Sequence, residues 1–257
     1  MQFNKAIVRQ PCSNFADGLT TSGLGAPSFA TALDQHRAYC DALVSCGLKL
    51  FSLNPDNRYP DSTFVEDTAI LTKRGAIMTR PGAPSRAGEV ETVTELMSRF
   101  YPSFESIVEP GTVDGGDICE ARDHFLIGIS HRTNEEGARQ LAQLLADLDY
   151  TSSFIDIRNI PTILHLKSGL AYLGDDNVVA INSLATHEEL QPYNILHVDP
   201  EDEYAANCVR INDVVLVAAG YPRFEDSLNE KGYQTLALDM SEYQKMDGGL
   251  SCLSLRF

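Results

Sequence analysis

The chain has 257 residues, with 20 Lys and Arg against 36 Asp and Glu, and a formal charge of −16. That sign repels nucleic-acid phosphates and anionic membranes and favours small cationic partners. The longest apolar run, Val214 to Ala219, falls far short of the ~20 residues of a membrane span, and Lys5 and Arg9 break up the first apolar stretch where a signal peptide would need a continuous core, so a soluble cytoplasmic protein is expected.

Lys5 to Gln10 opens the chain as a short strand pattern. Gly23 to Gly25, followed by Ala26-Pro27, lacks the strand, third glycine and helix of a dinucleotide site and reads as a mobile loop. Thr31 to Cys46 has helical spacing at Leu33, Ala38, Ala42 and Leu43. Val65 to Met78 predicts a hairpin around Thr72-Lys73-Arg74-Gly75, and Ser85 to Phe100 a helix with Val90, Val93, Leu96 and Met97 on one stripe. The cycle repeats. A hairpin from Gly116 to Ile129 turns at Arg122-Asp123-His124, and a helix from Thr133 to Leu148 opens with Thr133 and Glu136 at capping-box spacing. Gly169 to Ile181 turns at Gly174-Asp175-Asp176-Asn177 and precedes a short helix at Thr186 to Leu190. Ala206 to Ala219 turns at Asn212-Asp213 and precedes a helix at Arg223 to Lys231. Gly249 to Arg256 then needs a partner, and Lys5 to Gln10 supplies one, so the two termini complete a fifth unit. Five hairpins alternating with five helices, with no linker between them, predict one α/β domain over residues 1–257, closed as a ring.

In such a ring the starts of the hairpins converge near the centre, where charges are costly without partners or ligands. They are nonetheless polar here: Glu66-Asp67, Asp114-Gly115-Gly116-Asp117, His165 through Ser168, Asn207, and Asp247-Gly248-Gly249 ahead of Cys252. Cys252, in a strand-like run behind two glycines, is the candidate nucleophile, although a thiol in an apolar strand is also a common small core residue. His165, in the alternating stretch Ile163 to Lys167, reads as a core histidine unless a carboxylate orients it; Asp114 offers one. Asp67 reads equally as a strand-start carboxylate bonded to backbone amides and as a clamp for a planar cation, since a carboxylate facing a guanidinium forms two parallel charge-assisted hydrogen bonds. The remaining cysteines and the six histidines show no CxxC or HxxxH spacing, so neither a disulfide framework nor a metal is implied.

Phe64-Val65-Glu66-Asp67, Asp114-Gly115-Gly116-Asp117, His165-Leu166-Lys167-Ser168-Gly169 and Gly248-Gly249-Leu250-Ser251-Cys252 together resemble the signature segments of the dimethylarginine dimethylaminohydrolases, in the guanidine-modifying pentein superfamily. The resemblance runs from Asp17-Gly18-Leu19-Thr20 to Arg256-Phe257, particularly with the short bacterial members. It implies a five-bladed α/β propeller, Cys252 as nucleophile, His165 as general acid and base, and Asp114 as its orienting carboxylate. It further implies a guanidinium clamp at Asp67 with Glu66 nearby, and an α-amino site formed by Asp61 and the carbonyls of Leu19 and Leu250. Arg86 and Arg132 would hold the α-carboxylate, and the loop from Asp17 to Pro27 would be a mobile flap. The implied partner is a small guanidino amino acid, with no cofactor and no nucleic acid or membrane; homodimerisation stays open. The competing readings are an arginine or agmatine deiminase, which expels ammonia, and a noncatalytic binding protein of the same propeller shape.

Overall fold

Three of the hairpins fold where short β-branched and aliphatic runs flank a turn with positive φ: Arg122, Asp175, Asp176 and Asn212 lie at φ of 63°, 52°, 60° and 54°. The computed structural model describes residues 2–257, and among these the strands form five three-stranded sheets. In every sheet an antiparallel hairpin is joined, after a helical crossover, by a parallel outer strand. Ala69–Leu71 pairs with Ala76–Met78 and then Glu105–Ser106; Ile118–Ala121 pairs with His124–Ile129 and then Thr151–Asp156. Leu170–Gly174, Asn177–Ile181 and Asn194–Val198 repeat the pattern, as do Val209–Ile211, Val214–Ala218 and Gln234–Leu238. The fifth sheet joins the ends of the chain: Lys5–Arg9 runs antiparallel to Ser254–Arg256, with Ile7 opposite Leu255, and parallel to Lys49–Leu53. The result is the expected five-bladed α/β propeller.

Helices pack outside the sheets. Phe29–Ser45 starts at Ser28, whose hydroxyl accepts the Thr31 N–H. Glu135–Asp147 buries Leu141 and Leu145 against Phe125, Ile127 and Tyr150, each leucine contributing roughly 1.5–3 kcal/mol. Its cap is Asn134, which accepts from Gly137 N at 2.7 Å; Thr133, expected at that position, instead accepts from Asp114 N at 3.1 Å. The stretch expected as one helix from Ser85 to Phe100 divides into a 3-10 segment, Pro84–Glu89, and a helix, Val90–Met97. Thr186 to Leu190 contains only the 3-10 turn Glu188–Leu190, preceded by the short helix Asn182–Ala185. Pro222–Glu230 is helical as expected. Among the described residues no helix is long and apolar enough to cross a membrane.

Candidate active site

The inner strand of each blade is preceded by a short 3-10 segment, and these segments or their flanking residues carry the polar groups. They are the 3-10 turns Val65–Thr68, Gly115–Asp117, Leu166–Ser168, Pro200–Ala206 and Ser251–Leu253. Cys252 therefore lies in a turn, with Cys252 N donating to Gly249 O at 3.2 Å, and not in the strand expected for it. His165 likewise sits at the start of a turn and not within a strand. Hydrogen bonds link the five turns in a closed circuit. Gly116 N donates to Asp67 Oδ1 at 2.8 Å, and Leu166 N to Asp117 Oδ1 at 3.0 Å. Asn207 Nδ2 donates to Lys167 O at 2.8 Å while its Oδ1 accepts from Ser251 N at 2.9 Å, and Ser251 Oγ donates to Glu66 Oε2 at 2.8 Å.

On one face of this circuit, Leu19, Asp61, Phe64, Asp67, Arg86, Arg132, Leu164, His165, Met246, Asp247, Gly248 and Cys252 line a narrow cleft. His165 Nε2 lies 3.0 Å from Asp114 Oδ2, and Arg132 Nη1 is 3.7 Å from the same oxygen. Burial alone would lower the His165 pKa, but the carboxylates of Asp67, Asp117 and Asp114 outweigh it and push it up to about 9, so the imidazolium prevails at neutral pH. Burial would raise the pKa of Asp67, yet His165, Arg86 and the Gly116 N–H bring it down to about 2. The Cys252 thiol is pushed up to about 12, first by burial and then by the charges of Glu66 and Asp67. At rest the site thus holds a neutral thiol beside a cation-seeking carboxylate and a charged imidazole.

The other expected contacts are placed less simply. Asp61 accepts Leu19 N through both oxygens, at 3.1 and 3.2 Å, and so tethers the loop expected to act as a flap. Thr21 N donates to Asp247 Oδ2 at 2.6 Å and fixes the same loop from the other side. Arg86 lines the cleft, but its guanidinium is buried in a pairing with Asp67 Oδ2 at 2.6 Å, Glu89 at 2.7 Å and Phe64 O at 3.1 Å. Arg132, its side chain 16% exposed against 5% for Arg86, is the freer cation.

Two expected substrate contacts do not line the cleft. Leu250 is buried at 1% exposure behind it. Glu66 points away, into a cavity that it shares with Lys167, Ser251 and Arg256, because those two cations pair with its Oε1 at 2.6 and 3.1 Å. Asp117 has no role of its own in the sequence beyond its place in the polar segment Asp114-Gly115-Gly116-Asp117. It is fully buried, accepting Leu166 N and the Ser130 hydroxyl, the latter at 2.6 Å, and Ser130 Oγ in turn accepts Arg132 N at 2.9 Å. Nothing in the sequence marked Asp117, because its burial follows from the packing of the turns against one another. Asp67, Asp114 and His165 also each present a potential ligand atom within 4.8 Å of one another. These atoms already serve one another and the cations: Arg86 and Gly116 N engage Asp67, and the imidazole engages Asp114.

A sequence model of the Arginine deiminase family matches residues 47–217. The N(G),N(G)-dimethylarginine dimethylaminohydrolase of Pseudomonas aeruginosa is 47% identical over 256 residues, covering 99% of this chain and 100% of that one. The Streptomyces coelicolor protein of the same name is 34% identical, covering 100% and 98%. A Cys-to-Ser mutant of the Pseudomonas enzyme complexed with citrulline superposes with a TM-score of 0.97 over 100% of both chains, at 46% identity. At 16% identity, the N-terminal domain of the arginine dihydrolase ArgZ has a TM-score of 0.87 over 100% of this chain and 97% of its own, a likeness of fold alone.

Proposed function

The chain belongs to the dimethylarginine dimethylaminohydrolase family, and from that premise we propose that the cleft is its catalytic site, with Cys252 as nucleophile, His165 as general acid and base, and Asp114 orienting the imidazole. The protein is a hydrolase that converts a dimethylarginine to citrulline and dimethylamine; monomethylarginine would release methylamine by the same steps. The observation that carries the site assignment is the arrival of Cys252, His165 and Asp67 from three separate turns at one cleft.

A guanidinium is resonance-stabilised and a poor electrophile, so a thiolate is needed, and a thiol at about 12 does not supply one unaided. The bound substrate cation does: clamped by Asp67, its positive charge stabilises the thiolate as the thiol proton passes to solvent, from which the released amine later takes up a proton. Sulfur attacks the central carbon, and a tetrahedral adduct results. The departing amine cannot leave as an anion, so His165 gives it a proton; Nε2 is held by Asp114, which leaves Nδ1 for this transfer. The C–N bond breaks and a covalent S-alkylthiouronium remains. The now neutral His165 takes a proton from water, whose oxygen adds to the same carbon, and collapse breaks the C–S bond to give citrulline and restore the thiol.

Arg132 is suited to the substrate α-carboxylate and Asp61 to its α-amino group, with the Leu19 carbonyl beside it. Arg86 acts from behind, holding Asp67, and reaches a carboxylate only if its ion pairs rearrange. Glu66 and Leu250 support the nucleophile's turn and leave the ligand to others. The pairing of the first strand with the last favours one catalytic unit over residues 1–257. A cytoplasmic setting suits the six free cysteines.

Acid quenching during turnover of dimethylarginine, followed by peptide mass analysis, tests the covalent step. The peptide containing Cys252 is expected to carry the amidine carbon and ornithine portion of the substrate; an adduct on another cysteine, or none under turnover, would reject Cys252 as the nucleophile.

A further inference from the structure

Glu66 and Asn207 each bind both catalytic turns at once, Glu66 through the Lys167 and Ser251 side chains and Asn207 through the backbone of the two turns. Asn207 stands just before the inner strand of its blade, the place that Asp67 and Cys252 occupy in theirs. Its Oδ1 accepts from Ser251 N at 2.9 Å, the peptide immediately ahead of the nucleophile. Its Nδ2 donates to Lys167 O at 2.8 Å, in the turn that begins at His165, and to Ser251 Oγ at 3.1 Å. One acceptor and both donors of the amide are thereby used, and each partner's own polarity fixes which end of the amide is oxygen. The residue is 7% exposed and does not line the catalytic cleft.

The neighbouring backbone is shaped to admit it. Neither Gly248 nor Gly249 has the positive φ that would explain glycine by conformation; Asp247 before them does, at 55°. A Cβ on Gly249 would lie 2.5 Å from both Cγ and Oδ1 of Asn207. Glycine is required at 249 because the amide of Asn207 comes so close.

We propose that Asn207 is a positioning residue that sets the nucleophile's turn against the acid–base turn, acting through Ser251 N and Lys167 O without touching substrate. This rests on the assignment of Cys252 and His165 given above. A buried amide that merely satisfied backbone groups would contribute to stability alone. A positioning amide contributes to kcat as well, because shifting the sulfur relative to the imidazole misplaces both proton transfers.

The test uses Asn207→Asp, which keeps the shape and the acceptor for Ser251 N but turns a carboxylate oxygen toward Lys167 O. Asn207→Ser is the second variant should the carboxylate prevent folding. Three readouts are taken on folded protein: KM and kcat with dimethylarginine, the pH dependence of Cys252 alkylation by iodoacetamide, and Tm. We expect kcat to fall about tenfold or more with KM within about twofold, as for a buried hydrogen bond left unmade. The alkylation midpoint in Asn207→Asp should move to higher pH, since a new anion beside the thiol disfavours thiolate. Gly249→Ala should reproduce the loss of kcat in the otherwise native protein and add little to it in the Asn207→Ser background, because both changes break one contact. A lowered Tm with kcat and the alkylation midpoint unchanged would reduce Asn207 to a stabilising residue and overturn the proposal; additive effects of the Gly249 and Asn207 variants would do the same. Turnover absent from the native protein would instead strike at the enzymatic assignment, so the two failures are separable.

Discussion

The thiol of Cys252 at about 12 and the imidazole of His165 at about 9 define how single residues should respond to pH and substitution. In the proposed mechanism His165 must be protonated to release the amine, so the alkaline limb of kcat/KM is expected near 9. Asp114→Asn removes one of the anions that raise that pKa; the limb should shift toward lower pH and kcat should fall about a hundredfold, within the range of general acid–base contributions. A limb that stays at the same pH would show that Asp114 does not act on the imidazole. The same shift has a stability consequence. His165 binds its proton more tightly folded, at about 9, than at its ordinary 6.5, so its contribution is complete below 6.5 and is lost as pH rises through 9. His165→Gln should therefore flatten the dependence of Tm on pH across that window; a parallel decline in both proteins would assign the loss to other groups. Arg132 lies 3.7 Å from Asp114, and under the proposed assignment it would contact both the substrate carboxylate and the acid–base pair. Arg132→Ala should raise KM about tenfold or more, as expected for a lost charged hydrogen bond, with a smaller fall in kcat. Unchanged KM would take Arg132 out of substrate binding.

At the scale of elements, the tethered loop and the turns matter most. Leu19 and Thr21 are held by Asp61 and Asp247, so the loop is latched at two carboxylates. Asp247→Ala should release one latch, speeding amide exchange at Thr21 and its neighbours; exchange as slow as in the native protein would mean that the loop is held elsewhere. The hairpins and the helix near Arg223 were legible because their apolar spacing is strong and their turns carry Gly, Asn and Asp. The outer parallel strands were not. Glu105–Ser106 is exposed, and Thr151–Asp156 and Gln234–Leu238 bury little, so each lacks the alternation that marks a strand. The 3-10 turns carrying His165 and Cys252 were read as strand because three residues are too few to show a period and the apolar neighbours continue into the strand that follows. The glycine pair before Cys252 was visible in the sequence but its cause was not: Phe64 crowds Gly248 and Asn207 crowds Gly249, each at a distance that leaves no room for a Cβ.

At the scale of the molecule, ring closure was readable from one odd count: four complete hairpins and a lone strand pattern at each end. The pairing of Ile7 with Leu255 realises it. The orientation of Glu66 was not readable, because only the ring brings Lys167 and Arg256 to it and turns it from the cleft toward the axis. The formal charge of −16 also acts at this scale. A cationic substrate should be steered inward, and kcat/KM for dimethylarginine should fall as ionic strength rises while kcat holds, since screening acts on encounter more than on chemistry; a salt-independent kcat/KM would remove long-range attraction from the account. The central claim is that this fold presents a thiol, an imidazole and a carboxylate clamp to a methylated guanidinium. The most direct measurement supplies asymmetric dimethylarginine, monomethylarginine, arginine and agmatine separately to the purified protein and identifies both products of each. Citrulline with dimethylamine from dimethylarginine, citrulline with methylamine from monomethylarginine, and little from the other two are expected; ammonia released from arginine as the dominant reaction, or no amine from any of them, would contradict the account.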